Sequence, residues 1–359
     1  MRILICYGER SGLMLADSLE EGLGVLNPTV EMLRFDVSKN FGQVIGIWEG
    51  LTTALRKGRL LKEIWDEVEG LQPDGVVLVS YPGINLFLGK RFRRLGVPVF
   101  YLAPPQVWAW GRFRVRLLRE ATNRVFCLFR FEQGFFKRYG IEAVYYGYPF
   151  LDKVVLVRSR ENTLKQIGFE PGAKYIVFMP GSRPAETDHH EGLFVDVFRL
   201  LKMRYQWLQG VMVADGTKQL PEGLIRVGEK GRYDVIGYAE AAVVVSGTAT
   251  AETAILGVPM VVCYHLPGVS RFVVSSCIRV KHFSIPNLVL GERIVTEFIN
   301  PEPEAIFRSV CRLIEDKDYR AQMITGLKKA KDLLGPFGAI DNIAKDILKA
   351  MEKSKFCRA

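Results

Sequence analysis

The chain has 359 residues, a formal net charge of +10, 48% hydrophobic and 25% charged residues. That balance is typical of a folded globular protein and excludes a disordered chain, and no apolar run reaches the roughly 20 residues that span a bilayer. The length exceeds one ordinary core and fits two domains of roughly 150 to 200 residues each.

The N-terminal half alternates strands and helices. Arg2 to Tyr7 reads as a hydrophobic strand, followed by a Gly-Glu-Arg-Ser-Gly turn and a helix from Ser11 to Leu23. No small-residue cleavage site follows, so no signal peptide is expected. Phe41 to Leu51 clusters Val44, Ile45, Ile47 and Trp48 with three glycines, ahead of Arg56-Lys57-Gly58-Arg59. Two readings stay open for it: a loop packed on the core, or an exposed apolar patch with a basic flank that enters a membrane interface. Val76 to Ser80 is a predicted strand, Asn85 to Leu95 a helix, Val97 to Leu102 a strand and Gly111 to Glu120 a very basic helix. Val125 to Leu128 is a further predicted strand and Phe131 to Tyr139 a helix. This Rossmann-like succession predicts a parallel sheet covered on both faces.

Leu151 to Gly172 carries charge, Pro and Gly and is expected to cross into a second domain. From Tyr175 the strand–helix pattern restarts and runs to about Asn300. Helices are expected at Pro303 to Ile314, Tyr319 to Leu334 and Ile340 to Glu352. The predicted class is α/β, with one Rossmann-like domain over residues 1–152 and another over 153–337. The helix at about 338–353 is expected to pack back on the first domain or on a second chain, which leaves a homodimer open.

The second half carries the clearest chemistry. Ser246-Gly247-Thr248-Ala249-Thr250-Ala251-Glu252 follows the hydrophobic run Ala241 to Val245, and reads as buried strand, Gly turn and helix. A helix that opens on small residues leaves backbone N–H groups and a partial positive charge, which suits a diphosphate. Glu252, about a turn further on, is placed to accept both hydroxyls of a ribose. No GxxxxGK[ST] is present, so this is not a P-loop; the arrangement fits a sugar nucleotide held by its UDP end. Alone, the element also reads as an ordinary βα connection. Met179-Pro180-Gly181-Ser182-Arg183 ends the strand Tyr175 to Met179 with a Gly-Ser turn and a guanidinium suited to phosphate oxygens. Ser284-Ile285-Pro286-Asn287-Leu288 reads as a rigid turn that offers the Asn287 amide to a uracil edge or a sugar hydroxyl. Three such loops point to a crevice at the carboxyl ends of a parallel sheet.

Charge is concentrated elsewhere. Between Gly75 and Gly140 twelve basic residues face only Glu120 and Glu132. An anionic partner is implied, and without any helix-turn-helix, RNP or zinc-finger pattern an acidic membrane surface or lipid phosphate fits better than nucleic acid. The six cysteines are scattered with no CxxC pair and read as reduced core residues. His189 and His190 read as surface residues, and neither a metal nor another cofactor is expected.

With these residues laid out, the chain resembles the lipid-A-disaccharide synthase family along nearly its whole length. Gly8-Glu9-Arg10-Ser11-Gly12 is similar to that family's GEASGD loop, Pro105-Gln106-Val107-Trp108-Ala109-Trp110 to its PSVWAW signature, and Phe131-Glu132 to its PFE. Gly147-Tyr148-Pro149 stands where the family has GHP. Pro180 to Arg183 with Glu186, Ser246 to Thr248 with Glu252, and Ile285 to Asn287 with Glu297 are similar to its nucleotide-binding motifs. The resemblance implies two Rossmann-like domains facing each other across a cleft, the GT-B architecture of an inverting glycosyltransferase. It implies transfer of 2,3-diacylglucosamine from its UDP form to 2,3-diacylglucosamine 1-phosphate, giving a β-1,6-linked disaccharide phosphate and UDP. Gly181, Ser182, Arg183, Ser246, Gly247, Thr248, Glu252 and Asn287 are then the expected UDP-sugar residues. Ser11, Trp48, Trp108 and Arg112 are expected on the acceptor and membrane side, at the cytoplasmic, inner face of the cell membrane.

One departure bears on catalysis. An inverting transfer needs a base for the attacking hydroxyl, which the family takes from an IDxPDFN motif. The matching run here is Val79-Ser80-Tyr81-Pro82-Gly83-Ile84-Asn85, so both carboxylates are replaced, and the family's Asp after the second Gly of the first loop is Leu13. Glu9 is the nearest carboxylate by motif, and Glu9, Ser80 and Asn85 are the expected catalytic positions. The alternatives are a UDP-sugar glycosyltransferase or epimerase with an altered acceptor, and a non-catalytic relative that binds nucleotide or lipid.

Overall fold

Aliphatic runs too short for helices, such as Val76 to Val79 and Ala241 to Val244, become strands with no exposed side chain, as a parallel sheet under two helical layers requires. The computed structural model describes residues 1–39, 52–109, 111–112, 114–181, 184–265 and 281–356, the side chains of 52–57, 184–186 and 354–356 excepted. The predicted segment from Phe41 to Leu51 with Trp48, the residues Trp110, Ser182 and Arg183, and the Glu186 side chain therefore lie outside the described residues. Two units form, Met1–Pro149 with Pro336–Ala359, and Phe150–Gly335.

The first unit runs β1 (Arg2–Tyr7), α1 (Glu9–Leu26), β2 (Glu31–Asp36), α2 (Thr52–Gly70), β3 (Gly75–Val79), α3 (Pro82–Arg94), β4 (Val99–Leu102), α4 (Arg114–Ala121), β5 (Arg124–Phe126), α5 (Arg130–Lys137) and β6 (Ala143–Val144). Its strands pair in parallel in the order β2-β1-β3-β4-β5-β6. The basic run Arg56 to Arg59 lies within α2. Helix α3 starts three residues earlier than the pattern predicts, because Pro82, with its fixed φ and missing N–H, suits a first turn. The C-terminal helix Ala339–Phe356 belongs to this unit. It lies close on α1, where a Cβ at Gly22 would stand 3.3 Å from Ile340, and over β3, where one at Gly75 would stand 2.3 Å from the Met351 sulfur. Asp346 of that helix pairs with Arg124 of β5 and accepts a hydrogen bond from the Tyr146 hydroxyl at 3.1 Å.

The second unit runs α6 (Arg160–Gln166), β7 (Tyr175–Met179), α7 (Pro184–Arg204), β8 (Gln209–Val213), β9 (Leu224–Val227), α8 (Arg232–Gly237), β10 (Ala241–Val245), α9 (Thr248–Ile255), β11 (Met260–Tyr264), α10 (Ile285–Leu290), β12 (Thr296–Ile299), α11 (Pro303–Glu315) and α12 (Lys317–Leu334). Its parallel order is β12-β11-β10-β7-β8-β9, the 3-2-1-4-5-6 arrangement counted from β7. The connecting segment before α6 is pinned: the buried Asp234 accepts hydrogen bonds from the Val157 and Arg158 amides at 2.6 and 3.0 Å and from the Arg158 guanidinium at 3.1 Å. The run Ser284 to Leu288, predicted as a rigid turn, is the start of α10, since proline in the first turn favours a helix. Cys6, Cys127, Cys263 and Cys311 are free and buried. Among the described residues no helix is long and apolar enough to cross a membrane.

Gly147→Ala, at a φ of +115, drives a methyl into the Pro336 backbone carbonyl and is expected to lower stability by about 1 to 3 kcal/mol, the usual cost of overpacking. In urea unfolding the midpoint should fall at unchanged slope. An unchanged midpoint would contradict the close approach of the segment that leads into the C-terminal helix.

Candidate functional sites

In each sheet the chain leaves two neighbouring strands in opposite directions, and at that switch point the strand ends stay uncovered. In the second unit this falls between β7 and β10, which pair directly. Gly181 follows β7 with φ +108 and Gly247 follows β10 with φ +152, both in backbone regions that favour glycine. At Gly247 the conformation alone demands glycine, since a built Cβ meets nothing within 4 Å. Gly247 is the residue before α9 and supplies no capping side chain, so the helix opens with uncapped amides at Thr248 and Ala249. Ser246 is held by its amide to Cys263 at 2.9 Å and by its hydroxyl to the Phe283 carbonyl at 2.8 Å. Thr250 ties α9 to α10, accepting from the Ile285 amide at 3.1 Å.

Glu252 is 1% exposed and takes hydrogen bonds from Arg232 at 2.5 Å and the Tyr233 hydroxyl at 3.2 Å, both on Oε1. Burial pushes its pKa up, opposed first by the charge of Arg232. Asn287 has a different task from the one its motif suggests. It is fully buried, donates to the Val295 carbonyl at 2.9 Å and accepts from the Ile294 and Val295 amides at 2.9 Å each. Its amide thus holds α10 against the approach to β12 and is not offered to a uracil or a sugar. Glu297 acts alike, accepting from the Phe283 and Ser284 amides at 3.1 and 2.6 Å.

In the first unit the switch point falls between β1 and β3. Four non-glycine residues with left-handed backbone follow its strands directly: Glu9 (φ 62) after β1, Ser80 (φ 49) and Tyr81 (φ 47) after β3, and Ala103 (φ 55) after β4. Each such residue costs roughly 1 to 3 kcal/mol, and clusters of them mark functional loops. The loops meet: a Cβ on Gly8 would lie 2.7 Å from the Tyr81 ring, and one on Gly12 would lie 3.9 Å from Cβ of Ser80. Glu9 is exposed, and Ser11 and Ser80 are half-buried. Asn85, expected as catalytic, is fully buried and donates to the carbonyls of Val79 at 3.2 Å and Ser80 at 2.8 Å, so it fixes this loop from below. Tyr101 donates to the same Ser80 carbonyl at 2.7 Å.

The half-buried Trp108 donates its indole N–H to Glu132 Oε1 at 2.8 Å, and Oε2 accepts from the Leu128 and Phe129 amides at 2.9 and 3.1 Å. Glu132 thereby fastens the Trp motif to the start of α5. Arg112 is exposed. Arg232 and Tyr233 escape motif reading because they partner Glu252 from a different helix, 20 and 19 residues away. His190, expected at the surface, is buried one turn before Phe194 in α7, a period-four spacing with that core residue that was visible in the sequence.

Two parallel sheets with flanking helices, and left-handed or glycine turns at their switch points, define a protein of two Rossmann-like units. Solved structures agree on the fold. The chain is similar to the S. aureus MnaA–UDP co-structure (TM-score 0.69, 13% identity, 98% of this chain and 97% of that one). It is also similar to UDP-GlcNAc 2-epimerase from Neisseria meningitidis bound to UDP-GlcNAc (TM-score 0.65, 15% identity, 97% and 100% covered). The model of the lipid-A-disaccharide synthetase family matches residues 24–334, and the chain belongs to that family. Lipid-A-disaccharide synthase of Geobacter sulfurreducens is 30% identical over 375 residues, 98% of each sequence, and that of Prochlorococcus marinus 32% over 326 residues, 85% of this chain and 83% of its own.

Burial raises the Glu132 pKa to about 7, against the opposing pull of Trp108 and two backbone amides. A carboxyl raised in the folded state contributes stability that is complete below its unfolded pKa and lost as pH rises through about 7. Relative to wild type, Glu132→Gln should therefore gain up to about 3 kcal/mol between pH 4.5 and 8, read from urea midpoints followed by tryptophan emission. A pH-independent difference would contradict it.

Proposed function

We propose that this chain transfers 2,3-diacylglucosamine from its UDP form to 2,3-diacylglucosamine 1-phosphate, releasing UDP and a β-1,6-linked disaccharide phosphate. The observation that carries this reading is the position of both expected diphosphate turns at the switch point of the second sheet, in a chain of this family. The diphosphate sits on the amides that open α9, and Gly181 lets the chain after β7 approach it. Arg183, two residues on in sequence, adds a cation as the sugar–phosphate bond breaks. Preorganised donors of this kind stabilise the leaving UDP without a bound metal.

The acceptor and the proton belong to the first unit. Glu9, on a strained turn against the Ser80 loop, takes the proton from the attacking 6-hydroxyl, while the Ser80 hydroxyl lines the same turn. Arg93, Arg94, Arg112, Arg116 and Arg119 are exposed, and Leu95 and Leu117 among them are 56% and 41% exposed. Arg93 reaches the Arg119 carbonyl at 2.9 Å, so the ends of α3 and α4 form one surface. Cations with scattered leucines suit an anionic membrane face, from which both acylated substrates come.

The missing aspartates supply the test. Left-handed backbone at position 80 suits aspartate better than most residues, and a Cβ at Gly83 meets nothing within 4 Å. Ser80→Asp/Gly83→Asp is therefore expected to fold and to raise disaccharide formation by about 10²- to 10⁴-fold, while Glu9→Gln lowers the wild-type rate. Intact UDP binding without disaccharide from either the wild type or the double variant would sink the synthase reading in favour of an altered acceptor or a non-catalytic role.

A further inference from the structure

Four carboxylates are buried among the described residues: Glu132, Glu191, Asp234 and Glu252. Three of them have both oxygens hydrogen-bonded. Glu132 is held by Trp108 and two amides, Glu191 by both terminal nitrogens of Arg226, and Asp234 by two amides and Arg158. Glu252 differs. Arg232 and Tyr233 both converge on Oε1, and Oε2 takes no hydrogen bond among the described residues. In Asp234 both oxygens are bonded within the protein, whereas Oε2 of Glu252 is left for a donor from outside the chain.

We propose, given the donor reading of this unit, that Arg232 and Tyr233 are positioning residues that fix Oε1 of Glu252 so that Oε2 meets a ribose hydroxyl of the nucleotide. Arg232 is well suited to this. It follows Gly231, whose left-handed turn (φ 77) starts α8. Its guanidinium is gripped by Glu229 as well as Glu252, and lies 5.1 Å from the Tyr233 ring centroid. With a side chain only 14% exposed, it cannot swing to a free phosphate. Its charge also opposes the burial that raises the Glu252 pKa. A carboxylate oxygen is a poor partner for a phosphate and a good acceptor for a hydroxyl, so the ligand group is a hydroxyl. Because Oε1 already accepts from Arg232 and Tyr233, the contact runs through Oε2.

Calorimetric titration with UDP and with 2′,3′-dideoxyuridine diphosphate tests this on the full chain. Wild type should prefer UDP by about ten- to hundredfold, the usual worth of a hydrogen bond to a charged acceptor. In Arg232→Met the preference should collapse at pH 7 and return as pH rises, because Glu252 without its cation ionises later. The comparison cancels the titration of the diphosphate itself. Arg232→Lys, which keeps the charge without the fork, should restore part of the preference at pH 7, and Tyr233→Phe should lower it two- to fivefold. These two milder variants carry the test if Arg232→Met fails to fold. A merely structural ion pair would lower stability and leave the UDP preference untouched. Full discrimination in both arginine variants overturns the positioning role. Equal binding of both nucleotides by wild type removes the ribose contact while leaving the donor site standing, and no UDP binding at all removes the donor reading itself.

Discussion

The candidate sites of this chain depend on one constraint of parallel sheets. Where consecutive connections leave neighbouring strands toward opposite faces, no helix covers the strand ends, and the loops there are free to hold a ligand. Both sheets have such a point, between β1 and β3 and between β7 and β10. The glycines and left-handed residues of the chain's two motif clusters sit on those loops.

Loops at an open strand end need support from below, and buried polar side chains provide it. Asn85 holds the Ser80 loop, Asn287 the approach to β12, Glu297 the approach to α10, and Glu132 with Trp108 the start of α5. Each satisfies backbone groups that would otherwise be unpaired in the interior. The strained conformations at Glu9, Ser80 and Tyr81 persist because these bonds and the Gly8–Tyr81 approach over-determine them.

Much of the fold was legible in the sequence, because strands buried on both faces leave continuous aliphatic runs and turns leave glycines. β1, β7 and β10 lie where the hydrophobic runs predict them, and the helices after them begin near the predicted turns. The turns of the candidate site were legible where backbone conformation carries them, as at Gly181 and Gly247. It was misread where an amide side chain has two possible audiences: Asn85 and Asn287 look alike as ligand readers and as loop braces, and only burial separates them. Pairs brought together by tertiary structure, such as Arg232 with Glu252, leave no period or spacing to read.

The most direct measurement of the central claim is a UDP titration of isotope-labelled protein followed by backbone amide shifts. Binding at the second switch point predicts that the largest shifts fall on Thr248, Ala249 and Gly181, with little change at Ser80 and Tyr81. Saturable binding whose largest shifts lie in the first unit, with Thr248 and Ala249 unmoved, would contradict it.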